Sequence, residues 1–111
     1  MIVLGDFNDT PDSAPLEPLL TVEGLNDVFD VAKPEIPRER RWTYHYKKNE
    51  QIDYILISDA LVAALEKVEV ERRGIADLDD FSNGEQRSFE TVTSWRNAAS
   101  DHAAIVATFA L

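Results

Sequence analysis

An α+β fold built from short elements is predicted by the sequence, on three observations. Val68 and Val70 alternate with Glu69 and Glu71, the period of a half-buried strand. The stretch SDHAAIVATFAL repeats that period, with Ala104, Val106 and Thr108 on one face and Ile105, Ala107 and Phe109 on the other. Between residues 41 and 58, RWTYHYKKNEQIDYILIS holds two β-prone runs around a polar break.

Taken in order, the apolar run at residues 2–5 reads as a buried strand ending in Gly5. Asp12 or Ser13 is placed to cap a short helix, with Ala14 and Pro15 in its first turn and Leu16, Leu19 and Leu20 inward. Leu25 to Val31 is a mixed segment with one helical turn, anchored by Val28 and Phe29. Lys33 to Arg41 carries Pro34, Pro37 and a charge run, the composition of an exposed loop. Trp42 to Tyr46 and Ile52 to Ile57 are expected to pair as a hairpin, with Lys47 to Glu50 as its turn. Asp59, Ala60 and Leu61 start a helix expected to end near Glu66, ahead of the Val68–Val70 strand. Residues 72–99 show little periodicity and read as a long surface excursion, a kind of segment that is more often functional than core.

With 111 residues, one domain and one modest core are expected. A hydrophobic content of 44% suits a globular chain rather than a disordered one. No apolar run approaches the roughly 20 residues of a membrane span, and no basic leader precedes an apolar stretch. A cytoplasmic location with no membrane partner is the default expectation. The absence of cysteine excludes disulfides and thiolate metal sites. The net charge of −10 argues against a general phosphate-backbone-binding surface. It admits either plain solubility or carboxylates gathered around a divalent cation.

Three polar clusters stand at strand ends: Gly5-Asp6-Phe7-Asn8, Ile52-Asp53-Tyr54 and Ser100-Asp101-His102. Strand ends hold side chains with little slack, which suits a site that needs fixed geometry. Each cluster alone has a plain alternative: a turn, a water-facing edge residue or a solvated histidine. Asp6, Asn8, Thr10, Asp12 and Glu17 also match positions 1, 3, 5, 7 and 12 of a calcium loop. Pro11, however, stands where such a loop needs glycine, and strand-like residues precede it instead of a helix. A Ser100–His102 nucleophilic pair lacks a nucleophile elbow. His45, in an aromatic strand, reads as structural or surface.

Together, VLGDFNDTPDS, the WTY followed by QIDYILIS, and the closing SDHAAIVATF resemble, in order and separation, the C-terminal half of the endonuclease/exonuclease/phosphatase superfamily. The resemblance implies a deoxyribonuclease-I-like α/β sandwich, two β-sheets flanked by helices, of which this chain supplies about half. It also implies a divalent-metal-dependent phosphoester hydrolase, a nuclease or phosphatase, using magnesium or alternatively manganese. By resemblance, Asp6 positions or deprotonates the attacking water and shares in metal binding. Asn8 donates its amide to the phosphoryl oxygen. His102 acts as acid or electrostatic stabiliser, Asp53 fixes its tautomer, and Asp101 faces the metal. Lys47 and Lys48, near the hairpin tip, are candidate phosphate contacts.

The family's N-terminal half supplies an early-strand Asn, a Glu that is the principal metal ligand, and a His in an Asn-x-His context. None of these motifs occurs here. The chain is therefore expected to be half a domain, and in isolation to be weakly active or inactive. The alternative is a catalytically silent remnant that serves as an interaction or assembly module. An orphaned inner sheet face further predicts a homodimer, or association with a missing N-terminal half.

Overall fold

The computed structural model describes residues 1–111 as a mixed α/β arrangement of antiparallel strands with few and short helices. The elements are β1 (Ile2–Asp6), α1 (Glu17–Leu20), β2 (Leu25–Asp27), α2 (Val28–Val31), β3 (Tyr44–Tyr46), β4 (Lys48–Glu50), β5 (Asp53–Ser58), α3 (Asp59–Val62), β6 (Leu65–Glu71), α4 (Leu78–Phe81) and β7 (Ala104–Phe109). They form a three-stranded sheet in the order β1-β5-β2, a β3-β4 hairpin and a β6-β7 pair. No helix is long and apolar enough to cross a membrane.

β5 is the central strand because its apolar residues cover both faces. Tyr54, Leu56 and Ile57 are buried, and β1 and β2 take the two edges. β1 runs antiparallel to β5 in a register that sets Ile2 against Ile57, Leu4 against Ile55 and Asp6 against Asp53. Alternate residues of a strand share a face, so Ile2, Leu4 and Asp6 lie together. α2 packs on β2 and β5, which buries Val28 and Phe29 completely. Each such side chain contributes about 1.5–3 kcal/mol. Asp27 starts α2 by accepting a hydrogen bond from the Phe29 N–H at 3.0 Å. A second buried group joins Trp42, Ile75, Leu78 and Ala103, with Val70 and Phe81 against it.

Several expectations are corrected. Trp42–Tyr46 does not pair with Ile52–Ile57: Lys47, at φ 64°, turns β3 directly onto β4, and β5 joins the other sheet. The helix after β1 begins at Glu17 rather than just after Asp12 or Ser13, and no side chain caps it. Pro18 lacks an N–H and fits only the first helical turn, and Asp12 instead pairs with exposed Arg38 at 3.1 Å. The helix from Asp59 stops at Val62, because Leu65 onward is drawn into pairing with β7. Arg41 is buried at the end of a loop expected to be exposed. The 72–99 excursion is not all surface: Arg72, Ile75, Ala76 and Leu78 are buried.

The two buried arginines explain how long connections are held. Arg41 donates to the carbonyls of Ile36 (2.6 Å) and Phe29 (3.4 Å) and to the carboxylates of Asp30 (2.6 Å) and Glu35 (3.2 Å). Arg72 donates to the carbonyls of Trp42 (3.1 Å from Nε) and Arg40 (2.5 Å), and its guanidinium lies 4.2 Å from the centre of the Trp42 ring. Burial pushes the Arg72 guanidinium down to about 10, which leaves it cationic at neutral pH.

Arg72→Met is expected to destabilise the chain by about 2–4 kcal/mol, because two carbonyls lose a charged donor inside the protein. Arg72→Lys should recover little of this, since a point charge cannot replace the planar fork. Urea unfolding measures both.

Asp27 carries a pH signature. Burial raises its carboxyl above the ordinary range, against hydrogen bonds from the Phe29 N–H and the Gln51 side chain that pull it down. The folded value exceeds the unfolded one, so the native state binds more protons and stability falls as pH rises through that window. Relative to Asp27→Asn, the wild type should therefore lose stability as pH rises from about 4 toward neutrality. Parallel urea titrations with a constant difference across that range would contradict this.

Candidate active site

Asp6 ends β1 and Asp53 begins β5. The Phe7 N–H donates to the Ile52 carbonyl at 2.9 Å, which makes Asp6 and Asp53 the next, non-hydrogen-bonded cross-strand pair. Side chains stand closest together in such pairs. His102 reaches the same place from the residues before β7, through an isolated bridge between its backbone and Tyr44. Donor atoms of Asp6, Asp53 and His102 all lie within 4.8 Å of one another.

Within the cluster, the His102 Nδ1–H donates to Asp53 Oδ2 at 2.8 Å. An ionised carboxylate only accepts, so this bond fixes the proton on Nδ1 and leaves Nε2 for other work. Both side chains are mostly shielded, His102 at 26% and Asp53 at 19% exposure. The Tyr44 ring packs on the imidazole with centroids 4.9 Å apart. Asp6 Oδ1 accepts from the Asn8 N–H at 2.8 Å. That bond supports the left-handed turn at Asn8 (φ 53°), a conformation asparagine tolerates better than most residues.

The other candidates are placed differently. Asp101 Oδ1 is 3.9 Å from His102 Nε2 and 81% exposed, so it flanks the ring away from the Asp53-bonded nitrogen and stands outside the three clustered donors. Asn8 is exposed beside Asp6. Lys48 lies 3.9 Å from Glu50, and the Lys47 ammonium lies over the Tyr46 ring. Neither lysine bonds to the cluster. His45 stacks on Phe81 at 4.0 Å and shares a 2.6 Å hydrogen bond with Asn49, a structural setting. A cleft of about 630 Å³ is lined by Asp27, Arg41, Gln51 and neighbouring residues but by none of the three clustered side chains. The cluster lies at the end of a sheet, with Asp6 exposed and Asp53 and His102 partly shielded.

Two neighbours were given no site role in the sequence reading. Tyr44 packs on His102, and the buried hydroxyl of Thr43 accepts from the N–H groups of Ile52 and Asp53, both at 3.2 Å. Their signal was their place in the WTY stretch, whose side-chain directions depend on the hairpin that follows.

The donor set suits a hard divalent cation. Two like-charged carboxylates face each other across a strand pair, which is unfavourable without a counter-charge. No Lys or Arg forms an ion pair with either. Carboxylate oxygens with room for water are what magnesium or manganese takes.

No curated protein and no solved structure matches the chain. The Endonuclease/Exonuclease/phosphatase family matches residues 1–102. That span holds all three strand-end clusters and nearly the whole chain, and the protein belongs to the Endonuclease/Exonuclease/phosphatase family.

Proposed function

We propose that this chain is the C-terminal, acid–base half of a divalent-metal-dependent phosphoester hydrolase. The observation that carries this reading is the convergence of Asp6, Asp53 and His102, with His102 bonded to Asp53 and no Lys or Arg paired with either carboxylate. Asp6 would hold a magnesium or manganese ion, with Asp101 as an outer ligand. When bound, such an ion supplies charge neutralisation at the phosphate and a more acidic water.

The side chains divide the remaining work. Asp6 accepts a proton from the attacking water as its oxygen bonds to phosphorus. Asn8 donates its side-chain amide to the phosphoryl oxygen that gains charge. Asp53 holds the His102 Nδ1–H, so the ring directs Nε2 at the substrate. Protonated there, Nε2 gives its proton to the leaving oxygen as the phosphorus–oxygen bond breaks. Lys47 and Lys48 are reserved for outlying phosphates of a longer substrate.

A second reading, an assembly module, is favoured by one observation. Leu4 (66% exposed) and Ile2 (47% exposed) stand bare on the sheet face that carries Asp6. A second copy, or the N-terminal half of such a domain, would cover them and wall the open cluster.

Titration calorimetry is expected to detect weak manganese binding that Asp6→Asn and Asp53→Asn each reduce about tenfold or more. Turnover of plasmid or bis(p-nitrophenyl) phosphate by the isolated chain should be slow and fall about 10²-fold or more in His102→Ala. Turnover indifferent to His102 would sink the hydrolase reading. Sedimentation velocity should find a dimer that Leu4→Glu dissociates; a monomer in both would remove the homodimer.

A further inference from the structure

We infer that Thr43 is a positioning residue that holds Asp53 and His102 in mutual register. The inference rests on the reading of these two as catalytic partners, and its observations are separate. At Gln51 and Ile52 the chain leaves the β3-β4 hairpin and enters the three-stranded sheet. Such a corner strands backbone donors, and a buried N–H must find a partner. The Thr43 side chain, fully buried, supplies it: Oγ1 accepts from both the Ile52 and Asp53 N–H groups at 3.2 Å.

The main chain of the same residue holds the other partner. The Thr43 N–H donates to the Glu50 carbonyl at 3.0 Å, and the Thr43 carbonyl accepts from the Ala103 N–H at 2.7 Å. Ala103 follows His102 directly, and the next residue after Thr43, Tyr44, both bridges to His102 and packs on its ring. One residue is thus bonded to the backbone of Asp53 on one side and to that of His102's neighbour on the other. β5 and β7 lie in different sheets, so no ladder of hydrogen bonds fixes Asp53 against His102. Thr43 is the link between them. A hydroxyl is needed at this position, because valine has the same shape and accepts nothing.

The test uses the full chain with Thr43→Val and Thr43→Ser, read by long-range ¹H–¹⁵N NMR of the His102 ring. Wild type and Thr43→Ser should show a slowly exchanging Nδ1 proton bonded to carboxylate. Thr43→Val should lose it, as Asp53→Asn does, while circular dichroism stays native. A Thr43→Val protein with the wild-type ring spectrum overturns the inference. If that variant does not fold, amide exchange in the wild type decides: Ile52 and Asp53 should be protected like Tyr54, and exchange as fast as that of exposed Asn49 refutes the clamp. These readouts need no turnover. Turnover indifferent to His102→Ala, with the expected ring spectra, refutes the hydrolase reading and leaves the clamp standing; turnover that depends on His102, with a ring spectrum unmoved by Thr43→Val, does the reverse.

Discussion

The antiparallel register of β1 on β5 is the constraint on which the rest of the structure depends. It sets Asp6 opposite Asp53 and, through Phe7 and Ile52, makes theirs a close pair. A slip of one residue would turn Asp6 to the other face and carry Ile2 and Leu4 with it. The register is held by the apolar side of the same strands, with Leu56 and Tyr54 buried beneath. Core packing thereby fixes a charge arrangement that is unfavourable on its own. Such a local conflict, held in place by surrounding structure, is a mark of functional sites.

The chain has little apolar core with which to hold its connections: 15 of its 111 residues are buried, and Arg41 and Arg72 are among them. Each guanidinium gathers main-chain carbonyl oxygens from neighbouring segments. Arg41 gathers the loop after α2, and Arg72 ties the end of β6 to the residues that lead into β3. Burying a charge is costly, and the cost is offset only where every donor finds an acceptor in good geometry. Placement of the Trp42–Thr43–Tyr44 stretch, and so of the ring packed on His102, rests on these polar contacts as well as on the cluster of Trp42, Ile75, Leu78 and Ala103.

The open setting of the cluster has the same origin. Asp6 and Asp53 stand at the ends of two paired strands of one sheet, and His102 comes from the residues before β7, in another. A cleft of about 630 Å³ lies elsewhere, beside Asp27 and Gln51, whose side chains are joined by a 3.0 Å hydrogen bond. Ile2 and Leu4, on the same sheet face as Asp6, are exposed.

The sequence by itself determined the elements whose residues carry a strong local period or anchor. β1, β6 and β7 lie where apolar runs and strict alternation put them, and Val28 and Phe29 are buried as their place in a short amphipathic turn required. The strand-end position of Asp6, Asp53 and His102 was legible for the same reason. Which strands pair was decided only by tertiary structure. The β-prone runs around Lys47 were equally compatible with one long hairpin, and the choice of β4 for β3 and of β1 and β2 for β5 depends on contacts between residues far apart in the chain. Burial of Arg41 and Arg72 was hidden likewise, because their acceptors are largely backbone carbonyls, which every residue has and no side-chain pattern reveals. Local sequence sets backbone preference and face; long-range hydrogen bonding sets partners, and the meeting of the three side chains is a matter of partners.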